Sequence, residues 1–327
     1  MTRTTKTILC SILALALAAT AATAYCLSRS TGNSEPTRIY LPLGTTTDAM
    51  ADSLCTAGVV NHSAVFKLCY RLYRPSGRRV PAGSYLVQPH TRILPLARQL
   101  AHGQQAPIRL TLGRFRMPAQ LNDYLSRQLE ADNYGFDSST FHLVRPDTYE
   151  VYWTTPPDEF LARMQQEYAR FWQRRGVDST VALCGTTLTR RDIVVLASIV
   201  EEETNHNPEK PLVASVYLNR LKRGMPLQAD PTVKYAVGDF TLRRILHQHL
   251  ATESPYNTYL HTGLPPSPIC LPSAASVDAV LAAPQTDYLY FCASEAMDGT
   301  HRFAATLAQH NANANAFHRA LNARGIR

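Results

Sequence analysis

The chain has 327 residues, a length that suits roughly two domains. Hydrophobic residues make up 45% of the composition and charged residues 18%, which allows a packed core and excludes wholesale disorder. The formal net charge of +8 favours anionic partners, namely nucleic acid, a membrane surface or an anionic cell-wall polymer. Because no helix-turn-helix, zinc-finger or RNA-binding signature accompanies the charge, nucleic acid is the least favoured of the three.

The N-terminus predicts a membrane anchor. Residues 8–27, ILCSILALALAATAATAYCL, carry no charge and match the about 20 apolar residues that one membrane-spanning helix needs. Arg3 and Lys6 would stay in the cytoplasm by the positive-inside rule. A cleaved signal peptide is the alternative, because residues 22–24, ATA, resemble a cleavage site, although the apolar run is longer than usual for one. Either interpretation places residues 30–327 outside the cytoplasm.

Five cysteines lie beyond this run, at Cys55, Cys69, Cys184, Cys270 and Cys292. Their odd number and irregular spacing argue against a disulfide scaffold, and no pair has the CxxC spacing. We expect them to be small buried hydrophobic residues. A single disulfide, for example between Cys55 and Cys69, stays open.

The first half predicts an anchor at residues 1–29, a polar linker at 30–37 and a small α+β module at 38–130. Within the module, short β-type runs at 39–44, 83–91 and 108–113 each lead through a Gly or Pro turn into a helical pattern. A connecting α/β region follows at 131–184. It holds the aromatic run 146–153 and a helix over 156–175, whose apolar stripe is Phe160, Met164, Tyr168 and Phe171.

Residues 185–327 predict a second domain of mixed α/β type around a buried helix. Thr189 and Asp192 have capping-box spacing and precede the apolar run 193–200. A second helix should begin at Asn207-Pro208 and end at Gly224. The chain then becomes loop-rich, with a strand at 288–294 and a C-terminal helix.

The buried helix runs into three consecutive glutamates, Glu201, Glu202 and Glu203. They project about 100° apart, so they cannot share one environment. The run is either a solvated helix end or a place where one carboxylate performs proton chemistry. The negative end of the helix dipole and partial burial both raise the pKa of a carboxyl group there, as a general acid requires.

Three downstream loops favour the second interpretation. The loops QADPT (228–232), SPYNTY (254–259) and GLPPSPI (263–269) supply amides, hydroxyls, aromatic faces and a stiff proline wall. A sugar-binding groove uses such groups, because sugars offer hydroxyls and apolar ring faces. Each loop could equally cap the domain without binding anything.

Taken together, the motifs resemble the MltG (YceG-like) family of endolytic peptidoglycan transglycosylases. The resemblance rests on LASIVEEET, KPLVASVYLNRL, GMPLQADPTVKYAVG, YNTY, TGLPPSPI and YLYF, in this order over roughly 190–312. PDTYEVYW and the preceding units resemble the family's N-terminal half, which begins with a LysM-like module. The fold class that follows is α+β, with an N-terminal transmembrane helix, a LysM-like module and a catalytic domain.

The resemblance implies site residues. It places the catalytic acid/base at Glu201 and the substrate-binding groups at Gln228, Asp230, Thr232, Tyr256, Asn257, Thr258, Gly263, Leu264 and Pro265, with His301 on the cleft floor. Two positions depart from the family pattern: residues 270–273, CLPS, replace the usual Asn-Pro-Gly, and Glu202 replaces the commoner lysine. The first departure leaves the shape of that wall open.

The implied reaction needs one carboxyl group, no cofactor and no metal. Glu201 would protonate the β-1,4 oxygen between N-acetylmuramic acid and N-acetylglucosamine and then deprotonate the muramic C6 hydroxyl, which closes on C1 as a 1,6-anhydro end. The expected partners are glycan strands, the inner membrane and peptidoglycan synthases, with catalysis on the periplasmic side. The alternatives are a non-catalytic glycan-binding scaffold and a membrane peptidase, although no GxSxG or HExxH motif supports the latter.

Overall fold

The computed structural model describes residues 3–74, 79–242 and 244–325, apart from the side chains of residues 3–10, 19, 22, 23, 26 and 27. The chain forms two compact units, which we describe separately. Unit 1 comprises Met1–Leu110, Arg127–Asp132 and Glu150–Pro156, and unit 2 comprises Thr111–Ser126, Asn133–Tyr149 and Pro157–Arg327. The boundaries predicted at residues 130 and 184 remain predictions.

Unit 1 packs two antiparallel strands against helices. Its elements are α1 (Arg3–Ser28), β1 (Thr37–Leu41), α2 (Thr47–Thr56), α3 (Ser63–Tyr73), β2 (Gly83–Val87) and α4 (Ile93–Ala101). β1 pairs with β2 from Thr37 opposite Val87 to Leu41 opposite Gly83. Leu41, Phe66, Tyr85 and Leu96 are fully buried in the core between these strands and helices. Burial of such side chains stabilises the unit by about 1.5–3 kcal/mol each.

The predicted strands and helices of this part are confirmed, but α3 was not predicted. Its apolar face holds Phe66, Cys69 and Tyr70, whereas Leu68 and Leu72 are exposed, which blurs the helical period. Cys55 is a free thiol, so the disulfide with Cys69 does not form.

The predicted anchor falls on α1, where much of the apolar run lies outside the described side chains. Within the described part of the chain, we find no helix that is both long and apolar enough to cross a membrane.

β3, α5 and β4 contribute residues to both units, and the remaining elements belong to unit 2. They are β3 (Ile108–Leu112), α5 (Pro118–Gln128), β4 (Asp147–Val151), α6 (Pro157–Gln173), β5 (Thr180–Leu183), β6 (Thr186–Thr189), α7 (Arg190–Glu203), α8 (Lys210–Lys222), α9 (Asp230–Val237), α10 (His247–Leu250), α11 (Ala274–Leu281), β7 (Tyr290–Ala293), β8 (His301–Ala304) and α12 (Leu307–Ala323). β3 and β4 form a two-stranded sheet. The pairs β5–β6 and β7–β8 are antiparallel. The class is therefore α+β, as predicted, and the strands of the second domain form small two-stranded sheets.

The predicted buried helix is confirmed as α7. Its capping box is formed, because the Thr189 side chain accepts from the Asp192 backbone N–H while Asp192 accepts from the Thr189 backbone. Every residue from Ile193 to Val200 is buried. α7 therefore lies at the centre of the core, which α6, α8 and α11 complete with Phe171, Val213 and Val280.

Three features of the second half differ from the sequence prediction. The segment after Gly224 was predicted as loop, but α9 begins at Asp230 within it. Asn207 does not cap α8; residues Asn207–Glu209 form a 3-10 turn before the α-helix begins at Lys210. α11 was read as loop because it is short, although Ser273 caps it by accepting from the Ser276 backbone N–H. Gly224 ends α8 with a φ of 64°, a left-handed conformation that favours glycine.

Candidate functional site

The three glutamates at the end of α7 meet three different environments. Glu201 is held by donors from two elements of unit 2. Its Oε2 accepts from Ser273 Oγ at 2.7 Å, from Ser276 Oγ, and from Lys210 Nζ at 3.2 Å. Its Oε1 lies 3.4 Å from Arg114 Nη1. Burial acts to raise the pKa of Glu201, but the serine hydrogen bonds and the Lys210 charge outweigh it, so the pKa lies below its ordinary value.

Glu202 is an ion-pair partner. Arg116 Nη2 donates to its Oε2 at 2.8 Å and Arg116 Nε donates to the same oxygen at 3.2 Å. Arg114 Nε lies 3.6 Å from its other oxygen. The two guanidinium groups therefore compensate this carboxylate.

Glu203 has the opposite character. It is half-buried, and the one hydrogen bond described for its carboxyl comes from Tyr217 Oη, 3.3 Å from Oε2. Burial, reinforced by the negative charge of Asp230, raises the pKa of Glu203 to about 7, although Tyr217 and the charge of Lys234 act in the other direction. The predicted rise in pKa at this helix end is therefore confirmed at Glu203 and wrong at Glu201.

Two cavities meet at Glu203 and Asp230, which line both of them. The first has a volume of about 340 Å³, and we call it the aromatic cavity; its other lining residues are Tyr217, Arg220, Leu227, Gln228, Tyr259, Tyr290, Phe291, Leu307 and His310. The second has a volume of about 370 Å³, and we call it the cationic cavity; its other lining residues are Glu202, Pro231, Lys234, Arg244 and Ile245. Such volumes suit small-molecule or sugar-sized ligands.

The predicted loop QADPT supplies the wall opposite Glu203. Asp230 is exposed, and its Oδ1 accepts from Tyr259 Oη at 2.6 Å. Gln228 is exposed and has a φ of 50°, which is uncommon for a residue other than glycine. Its Oε1 accepts from Arg220 Nη1 at 3.2 Å, and its backbone N–H donates to the Thr258 carbonyl. These contacts hold the strained backbone, as is typical of functional sites.

Three predicted substrate-binding residues lie behind this wall. Thr232 is fully buried, and its hydroxyl bonds Thr258 Oγ1 at 2.8 Å. Thr258 Oγ1 in turn accepts from the Ala229 backbone N–H. Asn257 is also fully buried and donates to the carbonyls of Leu250 and Thr252. These side chains hold the cleft loop in place.

The remaining predicted residues are distributed around the site. The Tyr256 ring packs against Tyr235 at a tilt of 42°, with ring centroids 4.5 Å apart, and its hydroxyl forms a hydrogen bond with Ser267 Oγ at 2.7 Å. Gly263 has a φ of 86°, Leu264 packs against the core and Pro265 is buried. They build the proline loop that the sequence indicated.

His301, predicted on the cleft floor, packs behind it. Its Nδ1 lies 2.9 Å from Glu209 Oε2, and its ring meets Phe291 edge to face. Phe291 itself lines the aromatic cavity. His301 therefore supports a lining residue.

Several lining residues were missed by the sequence analysis. Tyr217 and Arg220 were predicted only as part of the second helix, with no role in the site. Arg220 is buried and donates to the carbonyls of Leu289 and Leu227 at 2.7 and 2.8 Å, which ties α8 to the cleft loop. Tyr290 stacks on His310 with centroids 5.4 Å apart. The signal that could have found the first two is the position of Tyr217 and Arg220 three residues apart, on one face of a helix whose neighbouring residues are mostly buried.

The arrangement can perform proton transfer. A carboxyl group with a pKa near 7 is substantially protonated at neutral pH and regains a proton readily, which suits a residue that acts first as acid and then as base. It stands between two cavities whose walls offer hydroxyls, an amide, aromatic rings and charged groups.

Comparisons with known proteins agree with the motifs. Residues 39–316 match the model of the YceG-like family. An endolytic murein transglycosylase of Bacillus subtilis (strain 168) is 45% identical over 119 residues, which is 36% of this chain and 32% of that protein. An endolytic murein transglycosylase of Streptococcus pneumoniae serotype 2 is 31% identical over 176 residues, which is 51% of this chain and 30% of that protein.

A solved structure, a YceG-like protein of Listeria monocytogenes, aligns with 86% of this chain and 99% of its own, at 24% identity and a TM-score of 0.48. The chain spans about a third of the length of the curated relatives that it matches. Because the family model covers most of the sequence, the chain belongs to the YceG-like family.

Proposed function

We propose that this protein is an endolytic murein transglycosylase, and that Glu203 is its catalytic acid and base. The names of the B. subtilis and S. pneumoniae relatives support the activity. The observation that carries the residue assignment is the half-buried carboxyl of Glu203 at the junction of two cavities, with a pKa of about 7.

The resemblance alone pointed to Glu201, but its contacts support a structural role. Five donor groups from four residues occupy its two oxygens, and its side chain is 12% exposed. A carboxylate stabilised in its charged form is a weak acid catalyst near neutral pH. Its Lys210 partner is buried, so the pair joins α7 to α8.

The proposed reaction conserves atoms without adding water. Protonated Glu203 donates to the glycosidic oxygen between N-acetylmuramic acid and N-acetylglucosamine as the C1–O bond breaks, which releases the glucosamine end. The Glu203 carboxylate then takes the proton of the muramic C6 hydroxyl, and that oxygen bonds C1 to give the 1,6-anhydro ring. An intramolecular nucleophile has an effective molarity on the order of 10⁵–10⁸ M, so no second carboxylate is needed to activate water.

The other groups around Glu203 have roles that follow from their contacts. The Asp230 carboxylate favours the protonated form of Glu203 and would stabilise positive charge developing at C1. Tyr259 orients Asp230 through the 2.6 Å hydrogen bond. Tyr217 donates to Glu203 and keeps the carboxyl in one orientation.

We also propose a cellular setting for this activity. The uncharged run 8–27 would anchor the chain in the inner membrane with the catalytic unit on the periplasmic side. The β1–α2–α3–β2 unit would be the LysM-like glycan-binding module. Cleavage on the periplasmic side would end the elongation of nascent glycan strands beside peptidoglycan synthases. Membrane fractionation of the full chain, with a variant that carries two arginines inside residues 8–27, tests the anchor.

Digestion of peptidoglycan by the purified full chain tests the activity. Anhydromuramic ends in the mass spectrum are the expected products. Reducing ends would identify a hydrolase, in which Asp230 becomes the second carboxylate. Strand binding without cleavage would identify the scaffold alternative.

A further inference from the structure

The two cavities that meet at Glu203 differ in charge chemistry. In the aromatic cavity, the cation Arg220 is committed to backbone carbonyls, and the Tyr290–His310 stack and the 55%-exposed Leu307 present apolar surface. Apolar and aromatic surface of this kind packs against the face of a neutral sugar ring. The aromatic cavity therefore offers no cation that is available to bind an anion.

The cationic cavity contains two uncommitted positive charges. The charge of Glu202 is already compensated by Arg116, whereas Asp230 accepts from the neutral Tyr259 hydroxyl and keeps its charge, so the two cations exceed the one carboxylate that lacks an ion pair while Glu203 is protonated. The side chains of Lys234 and Arg244 form neither an ion pair nor a hydrogen bond with any residue in the described ranges 3–74, 79–242 and 244–325. Lys234 is half-buried and Arg244 is exposed at the mouth, so both can meet a ligand.

A lysine and an arginine left without protein partners beside a reacting centre are suited to a carboxylate. Charge-assisted hydrogen bonds to carboxylates are about twice as strong as neutral ones, and arginine can make two of them in parallel. The two sugars of the glycan strand, which is the substrate under the proposed function, differ in whether they carry a carboxylate. The glucosamine residue is uncharged, whereas the muramic residue carries a lactyl ether that ends in a carboxylate or in a peptide with free carboxylates.

We infer that Lys234 and Arg244 form a subsite for a carboxylate borne by the muramic residue, so that this sugar occupies the cationic cavity and the glucosamine residue the aromatic cavity. The inference rests on the proposed function, which supplies the substrate class. It sets the direction of the strand through the cleft and makes the enzyme selective for charged strands.

The test uses three forms of one glycan preparation with the full chain. The first form keeps its peptides, the second has had them removed so that the lactyl carboxylate is free, and the third has all carboxylates amidated. KM is measured for the wild type, for the Lys234→Gln/Arg244→Gln double variant, and for Arg319→Gln as a control, because Arg319 is an exposed cation on α12.

We expect the wild type and the control to have a KM about tenfold lower on charged than on amidated strands, as one charge-assisted contact would give. The double variant should have the same KM on charged and on amidated strands. Lys234 also lowers the pKa of Glu203 through its charge, so the double variant is expected to change kcat by the same factor on all strands. The criterion is therefore the ratio of KM on amidated strands to KM on charged strands. A wild-type preference confined to peptide-bearing strands, and lost in the double variant, would assign the carboxylate to the peptide. A preference confined to peptide-free strands, and lost in the double variant, would assign it to the lactyl group.

A double variant that retains the tenfold ratio would overturn the subsite. Failure of the proposed function is a separate result: the wild type would then release no anhydro ends from any strand. In that case, Kd replaces KM. It is measured from the fluorescence anisotropy of labelled strands titrated with the full chain, and the ratio compares Kd on amidated strands with Kd on charged strands. A ratio that disappears in the double variant would still support the subsite, and a ratio that persists would overturn it.

Discussion

Replacing Glu203 with glutamine should make the protein more stable at neutral and alkaline pH. The pKa of Glu203 is about 7 in the folded chain against 4.5 for an ordinary glutamate, because burial and the Asp230 charge disfavour its ionisation. Between these two values the folded state holds a proton that the unfolded state has released. The free energy of unfolding therefore falls as pH rises from about 4.5 to about 7 and stays reduced above that.

The magnitude follows from the difference in pKa. At about 1.4 kcal/mol for each tenfold change in proton affinity, ionised Glu203 costs about 3 kcal/mol of unfolding free energy above pH 7. Glutamine is uncharged at every pH and can still accept from Tyr217. The variant should match the wild type at pH 4.5 and exceed it by about 3 kcal/mol at pH 8, or roughly 6–12 °C in melting temperature for a unit of 150–250 residues.

Urea denaturation followed by circular dichroism at pH 4.5, 6, 7 and 8 measures this difference. Glu201→Gln is the matched control, because the pKa of Glu201 is lowered and its carboxylate contributes stability that is present above pH 4.5 and lost as the pH falls through the folded pKa. The control should be less stable than the wild type at pH 8. A Glu203→Gln variant that is less stable than the wild type at pH 8, or that keeps the wild-type pH slope, would refute the reasoning.

Four further substitutions have defined outcomes. Tyr217→Phe removes a donor that lowers the pKa of Glu203, so the alkaline limb of the kcat profile should move to higher pH; a shift to lower pH would contradict this. Asp230→Asn removes a charge that raises the same pKa, so that limb should move to lower pH, and an unchanged limb would exclude the coupling. Ser276→Ala deletes a fully buried hydroxyl that donates to the Glu201 carboxylate and should cost about 1.5–3 kcal/mol in urea denaturation, whereas a loss below 0.5 kcal/mol would speak against that contact. Arg220→Lys leaves buried carbonyls without donors and should cost roughly 2–4 kcal/mol in the same assay, and a loss below about 1 kcal/mol would contradict this role.

Local patterns predicted much of the fold, because their causes lie within a few residues. The capping box at Thr189 and Asp192, the apolar run 193–200 and the glycine that ends α8 were all read correctly. α3 and α11 were missed for a physical reason. α3 exposes Leu68 and Leu72 on its polar face, and α11 is only two turns long, so neither displays a clean helical period.

The choice among the three glutamates could not be made from sequence, because it depends on tertiary partners. Glu201 meets serines from the start of α11, 72 and 75 residues further along the chain. Glu203 meets Tyr217 of α8 and the field of Asp230. Helix geometry alone says that the three carboxylates differ, but only the packing of α8, α9 and α11 around α7 decides which of them keeps its proton.

The same dependence explains the other site residues. Gln228 and Asp230, on the loop that the motifs indicated, do line the aromatic cavity. Thr232 and Asn257 come from the same kinds of motif but are fully buried and hold the loop. A motif marks a segment as important, whereas the direction of each side chain depends on the fold around it.

The most direct test of the central claim is the release of anhydromuramic ends from peptidoglycan by the full chain, quantified by mass spectrometry for Glu203→Gln and Glu201→Gln at matched folded concentration. General acid and base catalysis contributes about 10²–10⁴-fold, so Glu203→Gln should lose at least a hundredfold in rate. Glu201→Gln should stay within about tenfold of the wild type wherever it is folded. Full activity in Glu203→Gln, or an inactive but folded Glu201→Gln, would return the catalytic role to Glu201 and contradict the account.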